Sequence, residues 1–282
     1  MKTKTQEPVR GTALALTFIA SLAALGCGSN DTSGKRLTHA VRFETAPEAL
    51  VPFVTPLGWE VSLEQALMAT GPLYLFSGPP AFAGTSRQPS PGPRPWPARF
   101  LIKPAFAHPG HEVRGEARGQ LLDPFSVDLL AGPTMYPPLA AVTGAVASAT
   151  FSFSSPTAGP AAPALRGATV AVRGRARRGE RQVVFTVAVP LAEIEARAAQ
   201  ALVQGCTFDA TQVQDPGTVV VTIRPQAWFN LVDFSDVPDG SPEAPSALVP
   251  ESTARLGFTL GLVQVGAYHF SFVPPLQPIT RP

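Results

Sequence analysis

The chain has 282 residues, of which 45% are apolar, so it holds enough material for one large domain or two small ones with a real core. Its 22 basic and 20 acidic residues become 19 and 19 once a leader holding Lys2, Lys4, Arg10 and Glu7 is removed. A neutral chain lacks the concentrated positive field that phosphate binding needs, which sets nucleic-acid partners aside.

Met1, Lys2, Lys4 and Arg10 make a basic start, followed by the uncharged run Ala13–Cys27, ALALTFIASLAALGC. A positive end, a short apolar stretch and a small residue before a cysteine is the layout of a secretory signal. The apolar stretch, about 13 residues, is too short to cross a bilayer comfortably. Ala24-Leu25-Gly26-Cys27 resembles the bacterial lipobox, with Leu22 one position further from the cysteine than the usual leucine. That resemblance implies cleavage before Cys27, acylation of Cys27 and a membrane-lipid partner through it; an ordinary signal peptide or a buried helix is the bland alternative. The expected organisation is a leader at 1–26, a flexible tether at 27–38 and a single β-rich domain at 39–282. Gly28 directly after the lipid site resembles lipoproteins sent on to the outer membrane, so the expected location is the cell envelope, at the outer membrane or the periplasmic face.

Beyond the tether, His39–Phe43 reads as a first strand. Trp59, Val61 and Leu63 alternate with Glu60 and Ser62, the period of a half-buried strand, and Leu67–Phe76 continues as a second. The stretch 77–97 holds seven prolines and no acidic residue, a composition that favours an extended loop. Trp96, between two prolines, is a candidate contact for an envelope protein partner. From Leu129 to Leu165 no residue is charged, yet six prolines punctuate the run, so a buried strand over Val142–Phe153 fits better than a helix in lipid.

Ala168–Val189 is the clearest hairpin signal. Val170 and Val172 alternate with Arg173, Arg175 and Arg177, Arg178-Gly179-Glu180-Arg181 supplies the turn, and Val183, Phe185, Val187 and Val189 return along a buried face. The arginine row reads either as a solvated face that protects an edge strand or as a surface for acidic head groups. Leu191–Val203 reads as a short helix on Leu191, Ile194, Ala198 and Leu202, ended by Gly205. Val219–Ile223 is a strand leading into Trp228, Phe229, Leu231 and Phe234, an aromatic core cluster. Asp233, Asp236 and Asp239 read as turn residues, with a hard cation as the sharper alternative, and 237–250 as a loop. Ser252–Val263 is either a helix on Leu256, Leu260 and Val263, weakened by Gly257 and Gly261, or a strand; Ala267–Val273 closes the fold.

The one spacing with a mechanical reason to bind an ion is His108-Pro109-Gly110-His111. Proline then glycine suits a type II turn, which brings its ends within about 7 Å and lets two imidazoles face one ion. Glu112 or Glu116 could add a carboxylate, and Met135, Tyr136, His39, His269 or Cys206 a further ligand, for copper or another divalent metal; a turn that binds nothing is the alternative. With Cys27 acylated, Cys206 has no partner in the chain and reads as a buried thiol. The sequence has no Gly-x-Ser-x-Gly elbow, no His-Glu-x-x-His and no phosphate-cradling glycine loop, so a non-catalytic binding or interaction module is expected.

The order GWEVSLEQALMATGPLYLF (58–76), HPGHEVRGEARGQLLDPFSVDLL (108–130) and IRPQAWFNLVDFSD (223–236) resembles lipoproteins of the myxobacterial type, a group mostly without an assigned activity. In layout the chain is similar, more distantly, to periplasmic copper-binding lipoproteins that accompany di-haem partners. Those are sandwich-like and often carry a four-cysteine motif that this chain lacks, so no ligand carries over. The fold class expected is mainly β: an antiparallel, sandwich-like domain with one or two short helices and long proline-rich loops.

Overall fold

The computed structural model describes residues 34–79 and 115–275. The chain divides into Met1–Lys35 and a unit that begins at Arg36. In that unit the chain runs through β1 (Arg36–Thr45), β2 (Phe53–Val54), β3 (Glu60–Thr70), β4 (Leu73–Phe76), β5 (Ala117–Leu121) and β6 (Phe125–Asp128). It continues through β7 (Thr134–Val142), β8 (Gly144–Ser152), α1 (Ala162–Leu165), β9 (Val170–Arg178), β10 (Arg181–Val189) and α2 (Leu191–Glu195). It ends with β11 (Leu202–Val213), β12 (Thr218–Ile223), β13 (Ser246–Ala247), α3 (Thr253–Leu262) and β14 (Tyr268–Val273). The domain is mainly β and sandwich-like, as its alternating apolar pattern predicts. Of the thirteen strand pairings among the described residues, three are parallel: β1 with β12, β10 with β13 and β11 with β14.

One sheet closes on itself. Its order is β1-β12-β14-β11-β8-β4-β5-β7, with β7 paired back to β1, so this sheet has no open edge. The second sheet runs β13-β10-β9-β3-β2, with β6 also on β3. The chain crosses between the sheets at Gly71-Pro72. There a Cβ at position 71 would meet the Phe153 carbonyl, and the Gly71 N–H donates to the Ser152 carbonyl at 2.8 Å.

The barrel is filled by rings. Phe43 on β1 stacks on Tyr136 of β7 at 4.1 Å, and Phe151 on β8 stacks on Tyr268 of β14 at 4.1 Å. Phe43 and Phe151 meet at 6.5 Å although β1 and β8 lie four strands apart in a ring of eight, so their contact spans the interior. The Tyr136 hydroxyl donates to the Phe125 carbonyl at 3.1 Å and lies 2.5 Å from the Thr70 hydroxyl, both on second-sheet strands. Burial pushes that phenol's pKa up, so it stays neutral.

Several boundaries differ from the sequence reading. β1 begins at Arg36 and takes in residues assigned to the tether. Pro137 and Pro138 sit inside β7, where the register against β1 slips between His39 and Val41, a place that can accept residues without an N–H. The helix expected over Leu191–Val203 stops at Glu195, because Leu202 already starts a strand paired along β8. Ser252–Val263 does hold a helix, capped by the Ser252 hydroxyl accepting the Arg255 N–H at 3.1 Å. Its buried side is Ala254, Gly257, Phe258, Gly261 and Leu262, whereas Leu256 and Leu260 are exposed. Gly257 and Gly261 are there for contact: a Cβ would collide with the Leu231 and Trp228 carbonyls respectively. Leu231, expected in the aromatic core, is exposed, while Trp228, Phe229 and Phe234 are buried.

α3 is held by an ion pair whose arginine is buried and whose carboxylate is partly exposed. Arg255 donates through Nε and Nη2 to the two Glu193 oxygens at 2.9 and 2.7 Å, and to the Leu248 and Ala188 carbonyls at 3.1 and 2.7 Å. The Thr259 hydroxyl also donates to Glu193, at 2.7 Å. Hydrogen bonding from Arg255, against an opposing desolvation and aided by Thr259, holds the Glu193 carboxyl below its ordinary 4.5. The pair's stabilisation is therefore full above about pH 4.5 and fades as pH falls through the lower folded-state value. Glu193→Gln is expected to cost about 1.5–2 kcal/mol at pH 7 and to flatten the acid side of the stability curve, read by urea unfolding at a series of pH values; an unchanged acid limb would contradict the assignment.

Candidate functional site

The three arginines expected to line one face do so, but on an interior strand. β9 lies between β10 and β3, so the row does not protect an edge. The register of β3 slips between Leu63 and Gln65, and this irregularity leaves Glu64 free to reach two arginines. Its carboxylate accepts Arg173 Nε at 3.2 Å and Arg175 Nε at 2.6 Å. Glu60, directly opposite Arg177, accepts that guanidinium's Nε and Nη2 at 3.2 and 2.7 Å. Three guanidiniums against two carboxylates form a mixed lattice rather than a positive field. Each half-exposed pair contributes only about 0.2–1 kcal/mol. Pro52, Glu60, Ser62, Arg175, Arg177 and Gln182 outline a shallow open depression of about 190 Å³ on this face.

At the end of the same sheet, the β9–β10 turn is fastened around a buried tryptophan. The Arg178 guanidinium carbon lies 4.4 Å from the Trp59 ring centroid and that of Arg181 5.9 Å. Trp59 Nε1 donates to Asp233 at 3.0 Å, and Ser235 donates to the same oxygen through its hydroxyl at 2.6 Å and its N–H at 3.0 Å. The Ser235 hydroxyl, against an opposing desolvation and aided by the Ser235 N–H, Trp59 and Arg178, holds the Asp233 carboxyl below the ordinary range. Arg181 donates to the Ser235 and Val237 carbonyls at 2.5 Å each and to Asp239 at 2.9 Å. Asp233 and Asp239 are thus engaged separately, and the turn is a clip rather than a cation loop. The sequence carries no periodic signal for it, because Trp59, Arg178 and Ser235 come from three distant segments.

The described candidates for additional metal ligands do not meet one another. His39 points into the barrel wall, where its Nδ1 accepts the Gly217 N–H at 3.2 Å and its ring lies edge-on to Phe272 at 5.3 Å. Burial lowers its pKa, favouring the neutral ring. His269 is on the outside of β14, with Nε2 3.3 Å from Asp209. Met135 is exposed opposite Arg42, and β7 and β14 are three strand spacings apart, roughly 14 Å. Glu116 pairs with Arg118 at 2.9 Å. Among the described residues no three His, Cys, Asp or Glu side chains gather where a metal ion could sit. Cys206 is a free, buried thiol that donates to the Val203 carbonyl at 3.2 Å, and desolvation pushes its pKa up to about 12. A thiolate ligand or nucleophile is strongly disfavoured there. Cys27, Trp96, His108, His111 and Glu112 lie outside the described residues.

Comparison of the chain with known protein families, with curated proteins and with solved structures finds no match.

Proposed function

We propose that the chain is an exported, lipid-anchored protein of the cell envelope whose folded part is a non-catalytic binding and interaction module. The observation that carries this is the basic, apolar, small-residue-then-cysteine order of Met1–Cys27. In the sequence Cys27 precedes by nine residues the unit that begins at Arg36. In the native host the mature chain is expected to begin at a diacylglyceryl-modified Cys27, and Cys27→Ala is expected to move the protein out of the membrane fraction. Intact-mass measurement and fractionation check both; an unprocessed leader or an unmodified sulfur at Cys27 would overturn the proposal.

A second reading, handling of copper or a similar ion, is favoured by the His108-Pro109-Gly110-His111 spacing. Under it, the full chain dialysed against a weak chelator retains about one metal ion per chain, and the double variant His108→Ala, His111→Ala does not. Equal metal content in the two would end this reading.

A further inference from the structure

Between Glu48 and Glu60 the chain has no charged residue: Ala49 to Trp59 reads ALVPFVTPLGW. Single exposed apolar side chains are ordinary on any surface, but a cluster is not. Leu50 is 54% exposed, Val51 59%, Val54 72% and Leu57 43%, so four of the twelve large exposed apolar side chains among the described residues fall within eight consecutive positions. The segment is held firmly. Phe53 packs on Phe229 at 5.9 Å, and β2 pairs with β3 in a tight hairpin. The Thr55 carbonyl accepts the Gly58 N–H at 2.9 Å, the Thr55 N–H donates to the Trp59 carbonyl at 2.8 Å, and Gly58 takes φ 78° where a side chain would be strained. The fold thus builds a rigid hairpin whose outer side is Val54, Pro56 and Leu57, with Leu50 and Val51 beside it.

The register of Glu60 with Arg177 puts this hairpin next to the β9–β10 turn. Arg178 reaches the Leu57 carbonyl at 3.5 Å while lying over Trp59, and Pro52 shares the depression with Arg175 and Arg177. Around the apolar prong stand Arg173, Arg175, Arg177, Arg178 and Arg181, interspersed with Glu60, Glu64, Glu180, Asp233 and Asp239. With Glu48 at the start of the segment, five basic and six acidic groups stand here, so both signs are present and neither dominates. An excess of positive charge would select acidic lipids. A balanced array instead matches a head group that carries both signs, with guanidinium forks for the phosphate and carboxylates for the ammonium.

We propose that Leu50–Leu57 and the adjoining arginine–carboxylate face form a docking surface for a bilayer with zwitterionic head groups. Leu50, Val51, Val54 and Leu57 sit at the boundary between head groups and acyl chains. The proposal rests on the lipid-anchor reading in one respect: four side chains give only marginal binding by themselves, and an anchor at Cys27 keeps them close to the bilayer.

The test uses the full chain with Cys27→Ser, in which the uncleaved apolar leader at 13–26 replaces the acyl chain in keeping the protein at the vesicle, and a polarity-sensitive fluorophore on Leu57→Cys. Cys206 is buried and does not compete for the label. Asp215→Cys, exposed in the turn between β11 and β12, is the control. With vesicles of phosphatidylethanolamine and phosphatidylcholine, the Leu57 label is expected to shift to the blue and the Asp215 label to stay unchanged. The shift should persist when phosphatidylglycerol is added and in about 0.5 M salt. The combined variant Leu50→Ser, Val51→Ser, Val54→Ser should abolish most of the blue shift of the Leu57 label. A Leu57 label that stays in water, equal shifts at both positions, or a shift that needs acidic lipid would overturn the proposal. So would a shift produced only by lipid-free envelope protein, which would assign the prong to a protein partner. Because Cys27 is replaced throughout, these failures leave the anchor reading standing, and an unmodified native Cys27 leaves the vesicle result standing.

Discussion

The contact between Phe43 and Phe151 across the barrel decides what this fold can do. An eight-stranded barrel is just wide enough either to be filled by its own side chains or to hold one small ligand. Here Tyr136, Phe43, Phe151 and Tyr268 form a continuous series of ring contacts from one wall to the other, and the space is taken. The Tyr136 hydroxyl extends the series into the second sheet through Thr70 and Phe125. Barrel and sheet therefore share one apolar core, and a phenol held neutral by burial joins them.

With the interior occupied, recognition by the described residues falls to outer surfaces, among them the outside of the second sheet and the segments at its end. Charge there is plentiful but compensated, because Glu64 stands between Arg173 and Arg175. Lattices of this kind add little stability on a wet surface, and their value lies in complementarity and orientation. The same end of the sheet carries an uncharged, rigid hairpin, so an apolar element and a balanced polar one occur side by side. Under the tethering proposed for the amino end, both could be used at a bilayer.

Much of the fold was legible in the chain, and the unread parts share a cause. The β9–β10 hairpin could be read because strict alternation and a Gly-containing turn are local signals. The aromatic cluster at Trp228, Phe229 and Phe234 was readable because rings at that density have to be buried. Closure of the first sheet was not, since pairing β1 with both β12 and β7 depends on residues more than 90 positions apart. Gly257 and Gly261 looked like defects in a helix because their reason is the backbone of Trp228 and Leu231, which periodicity does not see. The arginine row was visible as a row, but its neutralisation depends on an irregularity at Glu64, and a register slip leaves no mark in an alternating pattern.

The barrel is a packed core rather than a container. The most direct measurement follows the ring proton resonances of Phe43, Tyr136, Phe151 and Tyr268 by solution NMR while a fatty acid or an apolar dye is added. The account predicts unmoved resonances and no saturable binding. Saturable binding accompanied by shifts at these four rings would contradict it and place a ligand inside the barrel.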